Sequence, residues 1–250
     1  GVAMGITGTE VAKEASAMVL LDDNYASIIN AVEEGRTIYS NIRKSIHYLL
    51  SCNTGEIVAI FTAIMVGLGS PLTPIQILWM NLVTDGLPAL ALGMEPPEKN
   101  VMNKPPRHPK ETVFAGGVGL AILYQGILIG LLAFMAYWLG LQWGQSIEQA
   151  RTMAFMTLSF SQLVQSFNAR SFEQSLFKLG VFSNRNLVYA FLASGALQLA
   201  VVYLPFLQGI FDTTFLTGQE LITIILLSFT PLFIVEIAKI FKRKYMFKTT

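Results

Sequence analysis

Two carboxylates and four neutral oxygen-bearing side chains lie inside stretches of this chain that are otherwise apolar enough for a bilayer. Asn81, Thr84 and Asp85 fall in the run from Ile75 to Gly93. An Asp near the centre of such a run costs about 2.5–3.5 kcal/mol on insertion scales, so such groups usually face a polar cavity or a partner on an ion or proton path. Their i, i+3, i+4 spacing sets all three on one face of an α-helix. Pro88 follows; lacking an N–H, it frees an upstream carbonyl and suits a helix partly unwound at its site. Asn53 and Glu56, three apart, share a face within the polar patch Ser51-Cys52-Asn53-Thr54-Gly55-Glu56 of the preceding run. A short turn separates the two runs, which predicts antiparallel neighbours. Each group lies about ten residues from opposite ends of its helix, and at about 1.5 Å per residue both reach mid-membrane. Gln162, with Ser159, offers further neutral oxygens from a later helix.

Carboxylate, amide and hydroxyl oxygens are what a hard cation takes. Ca²⁺ accepts about 6–8 of them in flexible geometry, whereas Mg²⁺ prefers a tighter octahedron with retained waters. No His or Cys pair has soft-metal spacing, which argues against copper and zinc. Two opposed carboxylates also offset the charge of a buried divalent ion. A single Asn or Thr in a membrane helix is more often an interhelical hydrogen bond than a ligand; two carboxylates at matched depth, each near an amide, favour ion handling. Cys52 reads as a small packing residue, His47 as an interfacial group satisfied by water or headgroups, and Glu236 as a snorkelling or Lys239-paired carboxylate.

The elements that must carry these groups follow from composition. Of 250 residues 53% are apolar and 13% charged, with a net charge of +1 and a mean hydropathy of +0.53. Soluble domains carry roughly 25% charged residues, so a membrane protein is expected. The single cysteine excludes an internal disulfide. No signal peptide is visible at Gly1, and the opening reads as the middle of a domain, an expectation that the chain is a piece of a longer one. Residues 1–25 read as small and soluble, with a short helix over Val11–Ser16 and a strand over Ala17–Leu21. Residues 26–45 read as a stalk helix entering the membrane at about Ile46, on the recurrence of Ile28, Val32, Tyr39, Ile42 and Ile46.

Six apolar runs follow, at 46–69, 75–93, 116–140, 151–168, 186–207 and 220–240, each near the ~20 residues that cross a bilayer. The fourth is short and interrupted by Ser159, Ser161, Gln162, Gln165 and Ser166. A polar, proline-rich loop falls within 94–115. Gly126 and Gly130 form a GxxxG that reads as close helix packing within the chain. Arg36, Arg43, Lys44, Lys99, Lys104, Arg107, Lys110, Arg170, Lys178, Arg185, Lys239, Lys242, Arg243, Lys244 and Lys248 all fall to one side of the six crossings. That side is expected to be the cytoplasm, with both termini there, and Trp138 and Trp143 mark the outer interface. The fold class is therefore mostly α: a polytopic helical membrane bundle over 46–250, preceded by a small α/β segment.

Several stretches together resemble a known family. Gly1-Val2-Ala3-Met4-Gly5-Ile6-Thr7-Gly8-Thr9-Glu10, Ala12-Lys13-Glu14-Ala15-Ser16 and Asp22-Asp23-Asn24 resemble the end of the phosphorylation domain of P-type cation-transporting ATPases. Glu33-Glu34-Gly35-Arg36 with Tyr39 resembles the start of their fifth membrane helix. Asn53 with Glu56, and PIQILWMNLVTDGLPALALGMEPP from Pro74 to Pro97, resemble helices five and six of the Ca²⁺-pumping, sarcoplasmic-reticulum-like branch. The resemblance implies a phosphorylation-domain remnant followed by membrane helices five to ten.

It further implies that Asn53, Glu56, Thr84 and Asp85 match ligands of one Ca²⁺ site, and that Asn81 and Asp85 match part of a second. Gln162 stands where that branch has a glutamate, placed by Asn168 and Gln174-Ser175-Leu176 downstream, which removes one negative charge. The second site also takes a glutamate from a fourth helix not in this chain. Asn81 argues against the Na⁺/K⁺ branch, which has Asp there, and Glu56 against manganese pumps. Ca²⁺ is the implied transported ion, with Mg²⁺ and ATP used by the parent protein. Membrane lipid and the N-terminal remainder of the pump (actuator, nucleotide-binding and phosphorylation domains and four membrane helices) are the implied partners, without nucleic acid. The plasma membrane is the implied location. The phosphorylated DKTGT loop would lie upstream, so these residues alone are expected not to hydrolyse ATP. Pumps for Mn²⁺, Na⁺ or H⁺, and a non-enzymatic cation channel or regulatory membrane module, are the competing readings.

Overall fold

The computed structural model describes residues 1–98, 100–103, 105–108, 110–143 and 146–246, and of 242–246 the backbone alone. Lys99, Lys104 and the side chains of Lys242, Arg243, Lys244 and Lys248, counted above among the basic residues, lie outside the described residues.

The chain forms two compact units, residues 1–41 with 96–109 and residues 42–95 with 110–250. In the first, β1 (Val2–Met4) and β2 (Met18–Leu20) pair in parallel, with Ala3 opposite Val19, and flank α1 (Glu10–Ala15). Thr9 caps α1 by accepting from the Ala12 N–H at 3.2 Å, an N-cap of the usual kind. Asp23, at a positive φ of 50°, accepts from the Ile6 N–H at 2.9 Å and the Thr7 N–H at 2.8 Å. The bond from Ile6, then those from Thr7, hold its carboxyl below the usual range. Two arginines tie this unit together. Arg36 donates to the Val101 carbonyl at 2.9 Å, and Arg107 donates to the Tyr39 hydroxyl while lying 4.2 Å over its ring.

α2 runs unbroken from Ala26 to Met65. It stops short of residue 69 because Gly67 and Gly69 take left-handed φ values of 80° and 77°, open to glycine. In the second unit it is followed by α3 (Pro74–Trp79), a π-helical turn (Met80–Thr84) and α4 (Gly86–Gly93). Then come α5 (Val118–Gln142), α6 (Ile147–Asn168), the short α7 (Leu176–Leu179) and α8 (Arg185–Tyr203). α9 (Pro205–Phe211) and α10 (Gly218–Met246) complete it. Pro205 ends α8 earlier than the apolar run suggests, because a residue before proline leaves the α region.

Among the described residues five helical segments are long and apolar enough to span: α2, α3 through α4, α5, α8 and α10. α6, the interrupted fourth run, is long enough but too polar by composition. It packs against α5, α10, α8 and α4, and nearly every residue from Thr152 to Ser166 is buried. Gln162 and Gln165 bond to side chains of α2 and α5, and the helix faces protein rather than lipid, so a lipid-facing hydropathy is not required of it. Gly126 and Gly130 bring α5 onto α2: a Cβ at Gly130 would lie 2.5 Å from the Gly55 carbonyl oxygen, and one at Gly126 2.5 Å from Thr54 Cβ.

One reading of a single residue changes, and two others gain their partners. His47, expected at a wet interface, is 2% exposed, with its ring edge-on to Phe172 at 5.3 Å. Arg170, counted as a loop cation, is buried against Glu95 at 2.7 Å. Glu236 does not snorkel: it pairs with Lys239 at 3.1 Å and accepts from Ser175 and the Leu176 N–H at the start of α7.

Candidate cation site

The π-helical turn is where the second membrane segment departs from an α-helix. The Asp85 N–H reaches back five residues to the Met80 carbonyl at 2.9 Å, and Pro88 has no N–H to give the Thr84 carbonyl. The expectation of one shared face for Asn81, Thr84 and Asp85 is therefore corrected. A π turn is wider than an α turn, and such bulges sit often at functional sites. Thr84 and Asp85 are wholly buried, whereas Asn81 is exposed. The segment is not unwound; it is wound more loosely.

Glu56 is the junction of three helical segments. Its Oε2 accepts from Asn81 Nδ2 and its Oε1 from Gln162 Nε2, each at 3.0 Å. α2, the π turn and α6 thus meet at one carboxylate, with Glu56 level with Asn81 in the segment that bears Asp85. Asp85 meets the stripe of α2 that carries Tyr48, Cys52 and Glu56. Its Oδ1 accepts from the Tyr48 hydroxyl at 3.2 Å, and its Oδ2 is buried without a partner. Gln162 Oε1 and Ser159 Oγ are also buried and unpartnered. Asn53 and Thr84 stay on their own helical turns, donating to the Leu49 carbonyl at 2.8 Å and the Met80 carbonyl at 3.1 Å. So the structure joins Glu56, Asn81 and Gln162 directly and sets Asp85 beside them. Asn53 is half-buried and unbonded to the others.

The hydrogen-bond partners of both carboxylates are neutral among the described residues. Buried carboxylates are otherwise paired or bound to a cation, and removing a counter-charge from one costs several kcal/mol. Among the described residues no three His, Cys, Asp or Glu side chains cluster, so any ion here is held chiefly by neutral oxygens around two carboxylates, as hard cations are.

Tyr48 is the participant that the sequence reading passed over. Its signal was its place in a Tyr48, Cys52, Glu56 series at four-residue spacing, one helical stripe of α2. Cys52 is fully buried in the cluster with Tyr48, Ala91, Leu92 and Leu187, as a packing residue should be.

Comparison with known proteins follows this geometry. Residues 69–241 match the family described as "Cation transporting ATPase, C-terminus". The chain belongs to the P-type cation-transporting ATPases. It is similar to "Calcium-transporting ATPase 1" of Bacillus cereus, at 47% identity over 97% of this chain and 29% of that protein. It is 48% identical to the "Calcium-transporting ATPase" of Bacillus subtilis over 98% of this chain and 27% of the relative. Human "Calcium-transporting ATPase type 2C member 1" is 37% identical over 96% of this chain and 26% of its own length. The chain thus spans a little over a quarter of these curated relatives. As the C-terminal part of a cation-transporting ATPase, it supplies the membrane portion in which Glu56, Asp85 and Gln162 lie.

Proposed function

We propose that this chain is the ion-binding membrane half of an ATP-driven pump that exports Ca²⁺ from the cytoplasm. The observation that carries the reading is the convergence of α2, the π turn and α6 on Glu56, with Asp85 on the same stripe of α2 and, among the described residues, no basic hydrogen-bond partner for either. The relatives are named as calcium transporters, which favours Ca²⁺ over Mn²⁺, Na⁺ or H⁺.

In this arrangement the Asn81 and Gln162 amides present N–H groups to Glu56. A bound cation takes the place of those hydrogens, so both amides turn their oxygens inward. Asn53, Thr84 and Asp85 Oδ2 complete the oxygen set, and Asn81, on the exposed flank, faces ligands supplied by the remaining helices of the intact pump. ATP and Mg²⁺ act in the N-terminal part, where aspartyl phosphorylation drives a switch between two states of different affinity. α2 carries both the stalk residues and Asn53 and Glu56, which makes it the coupling element. The protein sits in the plasma membrane with both termini in the cytoplasm.

Equilibrium radiocalcium binding to the intact protein, with excess Mg²⁺, tests this. The unaltered protein binds at micromolar levels; Glu56→Gln and Asp85→Asn each lose at least about tenfold, equivalent to ~1.4 kcal/mol. Gln162→Glu tightens binding by restoring a charge. Binding that is absent, or indifferent to Glu56 and Asp85, overturns the ion assignment.

A further inference from the structure

Nine residues before Glu56 on α2, His47 lines a cavity of about 270 Å³ bounded also by α5, α6 and α10. His47 is 2% exposed and neither of its ring nitrogens makes a well-formed hydrogen bond among the described residues. Gln125 flanks it, but its amide serves Tyr124 and Gln165. Asn168 Oδ1, on another wall of the cavity, is likewise buried and unpartnered. Buried polar groups are almost always hydrogen-bonded, to protein, water or a ligand, so this cavity is built to be filled by something polar.

Its character is cationic. One wall is the start of α5, where Gly116 and Gly117 both take left-handed φ values, 69° and 84°, and the Gly117 N-cap has no side chain to cover the first turn. The N-terminus of a helix this long presents backbone N–H groups and the positive end of its dipole, a setting for phosphate. Lys239 lines the opposite wall; it donates to the Asn168 carbonyl at 3.0 Å and to Glu236 at 3.1 Å, two of the three hydrogens it carries. Arg43 lies at the rim, its guanidinium 5.7 Å from the Phe172 ring centre and 3.9 Å from where a Gly116 Cβ would stand. Among the described residues no carboxylate lines the cavity, and Arg43 already covers Phe172, so a choline or ethanolamine ammonium finds no acidic partner among them. Next to the cavity, Leu120 and Leu123 of α5 are exposed, at 74% and 53%, at the beginning of a membrane-spanning helix.

We propose that this cavity binds the phosphate of an anionic phospholipid. His47, Lys239 and the α5 N-terminus surround the phosphate, Arg43 guards the rim, and the acyl chains lie along Leu120 and Leu123. This site is separate from the carboxylates and stands or falls independently of the transported ion.

The test is native mass spectrometry of the intact protein from mixed micelles holding equal phosphatidylglycerol and phosphatidylcholine, with inorganic phosphate titrated in a parallel series. The unaltered protein retains at least one phosphatidylglycerol in preference to phosphatidylcholine. His47→Gln and Lys239→Gln each reduce that retention about tenfold. Ala121→Trp, which fills the cavity without touching a charge, abolishes it, and Leu197→Trp on a distant exposed face leaves it intact. The thermal midpoint of each variant certifies folding; should one of the polar variants fail to fold, Ala121→Trp decides. Equal retention of the two lipids overturns the proposal, as does full retention in Ala121→Trp. Displacement of the lipid by millimolar inorganic phosphate assigns the cavity to a free anion and overturns the lipid.

Discussion

Asp85 has one oxygen held by Tyr48 and the other unpartnered in the interior, which makes the Tyr48 hydroxyl the main fixed restraint on that carboxylate. A hydrogen bond to an ionised group contributes about 1.5–3 kcal/mol, and part of that is the orientation a bound ion uses. Tyr48→Phe keeps the ring in its packed cluster with Cys52, Leu92 and Leu187 and deletes the restraint alone. Radiocalcium affinity is expected to fall about five- to tenfold, and the thermal midpoint to fall modestly, because buried Asp85 loses its hydrogen-bond partner. An unaltered affinity would make the Tyr48–Asp85 bond purely structural. Glu56 is restrained differently, by two amides that can reverse, so the two carboxylates differ in what an ion must rearrange.

At the scale of elements, the sequence specified depth and face better than partnership. Hydropathy placed α2, α3–α4, α5, α8 and α10 because lipid-facing surface must be apolar, and helix rise brought Glu56 to the level of the segment that bears Asp85, although its partner there is Asn81. α6 was least legible because it is enclosed by protein, so the physical demand that produces the hydropathy signal does not act on it. The π turn was invisible for a related reason: Pro88 announces a broken hydrogen bond, but whether the chain unwinds or widens is decided by what packs around it. His47 was misplaced because a titratable group near a helix end reads as interfacial until its tertiary neighbours are known, and the burial of Arg170 was hidden for the same reason. The GxxxG of α5 was readable, and neither of its glycines has room for a methyl group. At Gly130 the added Cβ meets the Gly55 backbone oxygen at 2.5 Å; at Gly126 it meets Thr54 Cβ at 2.5 Å and the Ser51 carbonyl oxygen at 2.9 Å, none of which a side-chain rotation moves aside. Overpacking costs about 1–3 kcal/mol, so Gly130→Ala and Gly126→Ala should each lower the thermal midpoint. Gly86→Ala, whose Cβ meets nothing within 4 Å, should be silent. Equal effects at all three would refute the close approach of α5 to α2.

Across the whole membrane unit, one buried ion pair joins segments far apart in the chain. Glu95, just beyond α4, accepts from Arg170 Nη2 at 2.7 Å and Nε at 3.0 Å, and from Asn184 Nδ2 at 2.6 Å. Arg170 also donates to the Gly180 and Val181 carbonyls at 2.9 and 3.2 Å, and Asn184 caps α8 by accepting from the Leu187 N–H at 2.9 Å. The ends of α4 and α6 and the start of α8 are therefore fastened at one point, 2% and 6% exposed at Arg170 and Glu95. Breaking such a pair from one side strands a buried charge and costs about 3–5 kcal/mol, whereas replacing both partners by apolar groups can be nearly neutral. Arg170→Met is thus expected to lower the thermal midpoint sharply, and Arg170→Lys to rescue little, because a lysine lacks the planar fork that reaches a carboxylate and two carbonyls together. Adding Glu95→Met to Arg170→Met should recover much of the loss, giving a double-mutant cycle with a large coupling energy. If the double variant is as unstable as the sum of the singles, the pair is not coupled, and the carbonyl contacts of Arg170 hold the junction instead. The knot lies at the end of the segment bearing Asp85, so the same cycle read by radiocalcium binding separates two roles. A structural fastening alters stability alone; one that sets the height of the π turn alters affinity as well.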